Sequence, residues 1–377
     1  MNKTQQFIQD RLNDRKDKGS LRKLSLAHLP VDFCSNDYLG FSRSALLKER
    51  IESMLHQVPQ LPVGSGGSRL LSGNHSFTEQ TETLIAAFHQ AESGLIFNSG
   101  YDANIGLISS LAQRGDTIIS DELIHASLID GARLSHASRY TFKHNDLGSL
   151  EAKLRLATGN IYVLVESVYS MDGDLAPLIE INDCCKRYGA NLIVDEAHAL
   201  GIFGAHGKGK VQELGMEKEV FARVVTFGKA LGCHGAIVLG TSALRQYLIN
   251  FARSFIYTTA APLHSIICIN AAYQLLTETD YTPLITGRIQ QYALNMEMAG
   301  ISGKISNSSI QTILYDSNTA AKSAAESLQQ KGMDVRAILS PTVPKGTERL
   351  RICLHTYNSN EEIQTLISQL ILLRQHE

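Results

Sequence analysis

Seven short apolar runs, many of them rich in β-branched residues, punctuate the middle of the chain: LIFNS (95–99), TIIS (117–120), YTF (140–142), YVLVESV (162–168), NLIVD (191–195), RVVTF (223–227) and AIVLG (236–240). Between them lie stretches with helical spacing, such as TEQTETLIAAFHQ and LIEINDCCKRYG. A strand apolar on both faces must be covered on both, so this alternation predicts an α/β fold built on one large, mostly parallel sheet. A helix start is expected at Ser76, where Glu79 completes a capping box ahead of the stripe Leu84, Ile85 and Phe88. Residues 1–42 read as a polar amphipathic helix and an irregular arm, 43–277 as the large domain, and 278–377 as a small C-terminal α/β domain ending in a helix from Asn360.

Composition narrows the class without naming a chemistry. Hydrophobic residues make up 44% and charged residues 19%, as in ordinary globular proteins. Thirty-five basic against 37 acidic side chains leave a net charge of -2, which offers no broad field for a nucleic-acid backbone. The six cysteines form no CxxC pair and read as reduced structural thiols. The N-terminal stretch carries charges throughout, and no apolar run reaches the roughly 18 residues that span a bilayer. A cytoplasmic protein with neither membrane nor nucleic-acid partner is expected. The histidines show no HExxH or Cys/His cluster, so no metal site is expected. GAHGKGK (204–210) imitates a phosphate loop but has Val211 where a magnesium-ligating hydroxyl belongs, and VGSGGSR (63–69) lacks dinucleotide spacing.

Ligands of open α/β sheets sit beyond the carboxyl ends of the strands, which directs attention to the polar residues there. At NSGYDAN (98–104) a strand stops and a helix begins; its first amides suit a phosphate, with Gly100 permitting close approach, or the segment is a plain turn. VDEAH ends a buried strand with Asp195 and, three residues on, His198. A carboxylate there needs a cationic partner, either a structural arginine or lysine or a protonated pyridine nitrogen, with His198 donating to the ring's phenolic oxygen or serving as a core-edge histidine. In TFGKALG, Lys229 follows another strand; alone it is a surface charge, but after Asp-x-x-His it is a candidate imine-forming amine, with Thr226 beside a phosphate. Ser170 follows a further strand, and His125 is either a flat group against a cofactor ring or a buried structural histidine.

Taken in order, SNDYLG (35–40), GSGGSRLLSGNH (64–75), SGYDAN, HASLIDGARLS (125–135), ESVYSMDGD, VDEAH and TFGKALG resemble the α-oxoamine synthases over nearly the whole chain. The resemblance implies a fold-type I, pyridoxal-phosphate-dependent transferase: a large mostly parallel-sheet domain, a small C-terminal α/β domain and an N-terminal arm. It implies that Lys229 carries the cofactor covalently, Asp195 pairs with the pyridine nitrogen, His198 contacts the phenolic oxygen and His125 stacks on the ring. Gly100, Tyr101, Ser170 and Thr226 would complete the cofactor shell, and Thr258 or Thr259, from IYTTAAP, would reach a second subunit's phosphate in a homodimer with interfacial active sites. Arg351 would grip the amino-acid carboxylate, with Arg22, Asn36 and Ser68 near substrate. KHND (143–146) and PTVPKGTERLRI (341–352) add that the substrates would be L-alanine and a pimeloyl thioester, carried on coenzyme A or an acyl carrier protein. Relatives using other amino acids, and a catalytically silent scaffold, are the alternatives. Two departures stand out: a short arm between Leu24 and Asp32, and ICLHTYNSN after Arg351.

Overall fold

The apolar runs become the strands of one sheet: β1 (Ser93–Phe97), β2 (Thr117–Asp121), β3 (Ser138–Phe142), β4 (Ile161–Glu166), β5 (Asn191–Asp195), β6 (Ala222–Thr226) and β7 (Ala236–Gly240). The computed structural model describes residues 2–24, 29–58, 62–300 and 305–375, so part of the short arm lies outside the described residues. The order is β1-β7-β6-β5-β4-β2-β3. Strands β3, β2, β4, β5 and β6 run parallel, whereas β7 is antiparallel to both β6 and β1. Every residue of β4 is buried, as expected of a strand covered on both faces. The sheet is therefore mixed at one edge, a reversal invisible in apolar runs because burial does not depend on strand direction.

Helix α1 (Ser76–Phe88) starts where anticipated but is capped otherwise. His75 is the cap, its Nδ1 accepting the Phe77 amide at 3.0 Å, and Glu79 accepts from Asn74 Nδ2 at 2.9 Å. With the cap one residue earlier, Glu79 stands a position too far along to complete the box. Helices α2 (Gly100–Leu111) and α3 (Ala126–Leu134) follow β1 and β2 and bury small and aliphatic side chains such as Ala103, Leu107, Leu128 and Ala132.

The chain divides into two compact units. Asn36–Ser170 with Asp174–Thr286 contains the large sheet; Met1–Ser35, Met171–Gly173 and Gly287–Glu377 form the other. In the second, β8 (Ile310–Tyr315), β9 (Arg336–Ile338) and β10 (Glu348–Cys353) make an antiparallel sheet ordered β9-β10-β8. Helix α4 (Asn318–Gln330) buries Ala321, Ala324, Ala325 and Leu328 in this unit. Among the described residues no helix is long and apolar enough to cross a membrane.

Candidate active site

The carboxyl ends of β4, β5 and β6 and the amino ends of α2 and α3 surround a cavity of about 320 Å³. Its wall includes Asn36, Gly100, Tyr101, His125, Asp195, His198, Thr226 and Lys229. The same wall contains Asn104, Ser127 and Glu166, which strand-end reading alone did not single out.

Asp195 ends β5 almost fully buried, with Oδ1 accepting the Ala197 amide at 2.9 Å and Oδ2 accepting Asn104 Nδ2 at 2.8 Å. Asn104 also donates to Ser127 Oγ at 2.9 Å, and that hydroxyl lies 2.8 Å from His125 Nδ1. Nδ1 accepts the Ser127 amide at 3.2 Å too, so His125 caps α3 through one nitrogen while its ring lines the cavity. Burial lowers its pKa, with Asp195 opposing and the charge on Lys229 assisting. His198 is anchored from the other side: its Nδ1 lies 2.7 Å from Tyr38 Oη, which donates to Asn36 Oδ1 at 3.1 Å.

At the head of α2, Ser99 Oγ accepts the Asp102 amide at 3.0 Å, and the first-turn amides of Gly100 and Tyr101 have no role inside the helix. A Cβ on Gly100 would meet Thr226 Cγ2 at 2.6 Å, so glycine is what lets the start of the helix pack this closely against the Thr226 side chain. The Tyr101 hydroxyl donates to Asp130 Oδ2 at 2.5 Å, which raises its pKa.

Not every candidate joins this wall. Ser170 is buried behind it, its amide donating to Glu166 Oε2 at 3.2 Å. Thr258 Oγ1 and the Thr259 carbonyl accept from Asn98 Nδ2, at 3.1 and 2.8 Å. The Ser68 loop is tied to the same segment, Ser65 Oγ donating to the Ala260 carbonyl at 2.5 Å and the Ala260 amide to the Gly67 carbonyl at 2.9 Å. In the smaller unit, Arg351 is buried on β10 with Nη1 2.9 Å from Cys353 Sγ, and exposed Arg22 reaches Thr342 Oγ1 at 3.4 Å. The unusual ICLHTYNSN segment has a local use there: Tyr357 Oη and Asn358 Nδ2 donate to the side chain and carbonyl of Asp32, at 2.9 and 3.0 Å.

Two further clusters clarify the motifs. His144, of KHND, bonds Asp121 Oδ1 through Nδ1 at 3.0 Å and Asp174 Oδ2 through Nε2 at 2.8 Å, with the Tyr169 ring edge-on at 4.4 Å. Burial alone would lower its pKa, but the bonds to the two carboxylates push it up to about 10. The phosphate-loop mimic instead wraps buried Glu196: Val211 donates its amide to Oε1 at 2.9 Å, and a Cβ on Gly209 would come within 2.7 Å of the carboxylate.

Residues 30–370 match the family model of the aminotransferases of class I and II. The chain belongs to that family. This aminotransferase-family protein is 46% identical to an 8-amino-7-oxononanoate synthase of Emericella nidulans over 96% of its own length and 93% of the relative's. A Sphingomonas wittichii serine palmitoyltransferase structure is similar to it with a TM-score of 0.89 and 25% identity, covering 98% and 96% of the two chains. A Francisella tularensis 8-amino-7-oxononanoate synthase structure gives a TM-score of 0.76 and 28% identity, covering 92% and 98%. It is thus a fold-type I enzyme of the α-oxoamine synthase kind. The wall has the groups that the pyridoxal phosphate implied by the sequence motifs would need: an amine on Lys229, a buried carboxylate at Asp195 and a helix start beside Thr226.

Proposed function

We propose that the protein joins the α-carbon of an amino acid to the acyl group of a thioester, with loss of carbon dioxide and release of the thiol carrier. The observation that carries this reading is the convergence of Lys229, Asp195, His125 and His198 on one cavity at adjacent strand ends. Within the class, the finer reading is L-alanine with a pimeloyl thioester on coenzyme A or an acyl carrier protein, the reaction of 8-amino-7-oxononanoate synthase in biotin biosynthesis. It is supported by the 46% identity to the Emericella nidulans enzyme. A second reading, serine palmitoyltransferase chemistry, is favoured by fold overlap, 0.89 against 0.76. Glycine C-acetyltransferase and 5-aminolevulinate synthase chemistry belong to the same class, and the class is the conclusion.

Pyridoxal phosphate supplies an electron sink for charge forming at the amino-acid α-carbon. In the proposed arrangement Lys229 would hold the cofactor through Nζ, and the same amine would take the α-proton of the amino acid. Asp195 keeps the ring nitrogen cationic, oriented for it by Asn104 and the Ala197 amide. His198, held through Tyr38, would face the phenolic oxygen and the thioester oxygen. His125, whose ring lines the cavity, would pack against the cofactor. The amides of Gly100 and Tyr101 and the Thr226 hydroxyl would bind the phosphate, and Ser170 would complete the cofactor shell. Thr258 or Thr259 reaches the phosphate of a second copy in a homodimer, a role supported by exposed Val63, Leu71 and Tyr257 on the two tied loops. Arg351 clamps the amino-acid carboxylate, and Arg22, Asn36 and Ser68 serve the substrate.

The test is thiol release with alanine, glycine or serine crossed against pimeloyl, palmitoyl, acetyl and succinyl thioesters. Preference for alanine with pimeloyl selects the finer reading and serine with palmitoyl the second; no amino-acid-dependent release overturns the class. Arg351→Ala should raise the amino-acid KM about tenfold or more. An unchanged KM removes the clamp.

A further inference from the structure

Glu166 ends β4 in register with Asp195 at the end of β5. Parallel neighbours carry their side chains on one face of the sheet, with the strands about 4.8 Å apart. Both residues are buried, at 2% and 4% exposure, and both line the cavity. Their hydrogen bonds are unequal. Each Asp195 oxygen accepts an N–H. Glu166 Oε2 accepts the Ser170 amide, and the His125 amide also bonds this carboxyl, but buried Oε1 has no partner among the described residues. An ionised oxygen in that position would be buried without a donor beside a second carboxylate, whereas a protonated carboxyl carries no charge to be left uncompensated.

We infer that Glu166 is a positioning residue held as the uncharged acid: it lets the Asp195–Glu166 wall present one negative charge, not two, to the ring nitrogen, while its other oxygen accepts the Ser170 amide. The role rests on the cofactor reading proposed above. Burial, and then the charge of Asp195, push the Glu166 pKa up to about 8, with Lys229 opposing. The titratable side chains around it are Asp195, Lys229, His125, His198 and Tyr169. Glutamine keeps the acceptor oxygen and substitutes an NH₂ donor for the hydroxyl, so it is the isostere of the acid and not of the carboxylate.

The experiment compares wild type with Glu166→Gln, both holding pyridoxal phosphate, by infrared difference spectroscopy at pH 7, alongside borohydride trapping on Lys229. The expected difference is loss of a protonated-carboxyl C=O band that shifts in D₂O. Cofactor affinity should stay within about threefold in Glu166→Gln and fall about tenfold or more in Glu166→Leu, which removes both the acceptor and the donor. Loss of an ionised-carboxylate band with trapping intact overturns the role of Glu166 and leaves the cofactor reading standing. Failure to trap the cofactor in wild type overturns both.

Discussion

Two buried carboxylate pairs of the same unit are completed in different ways. Asp121 and Asp174 are bridged by His144, which bonds one through each ring nitrogen and keeps a positive charge between them. Asp195 and Glu166 have instead the wall of a cavity around them, with Lys229, His125 and His198. Like charges close together in a buried site require a cation or a proton. The first pair draws its cation from the chain and is thereby a fastening between the segments that carry Asp121, KHND and Asp174. The second combines with a ligand-sized space, which is where the positive charge of a bound ring would be most strongly held. Composition does not separate the two; geometry does.

The largest expected effect falls on the open pair's neighbour. Lys229→Ala should cut turnover at least about 10³-fold and abolish borohydride labelling of its peptide, measured by steady-state kinetics and peptide mapping. Persistent turnover would erase the contrast, since the cavity would then work without its amine. On the closed side, His144→Gln should lower unfolding stability by about 3 kcal/mol in chemical denaturation, because two carboxylates lose their bridge. Labelling of Lys229 should survive.

The pH dependence of that second effect has a defined sign. His144 has a folded pKa of about 10, raised above its ordinary 6.5, so its stabilisation is complete below about 6.5, declines above it and is gone beyond about 10. The stability gap between wild type and His144→Gln should close over that window; a gap constant with pH would mean that the imidazole is not the bridging charge. A smaller effect belongs to Tyr38→Phe, which removes one anchor of His198 and should slow turnover about tenfold with little change in stability, read as kcat against thermal midpoint.

Much of the frame was legible because strands buried on both faces must be apolar throughout. NLIVD and AIVLG coincide with β5 and β7, and the remaining runs lie within a few residues of their strands. Strand direction was not legible: β7 reads like its parallel neighbours yet runs against them. The α1 cap falls one residue before Ser76 because His75 Nδ1 accepts the Phe77 amide and Asn74 Nδ2 donates to the Glu79 carboxylate. Asn104 and Ser127 sit inside the quoted motifs SGYDAN and HASLIDGARLS, but nothing in either spacing says that one amide will join Asp195 to the cap of His125.

By itself, the sequence determined the α/β alternation and put a lysine, an aspartate and a histidine just beyond apolar strands, since those depend only on local pattern and on where buried runs end. Tertiary structure alone decided which strand ends are neighbours, which carboxylate of each pair has its donors, and that a glycine-rich phosphate-loop mimic wraps Glu196. Those are relations between residues far apart in the chain, and the short-range forces that make them act only once folding has brought the groups within a few ångströms.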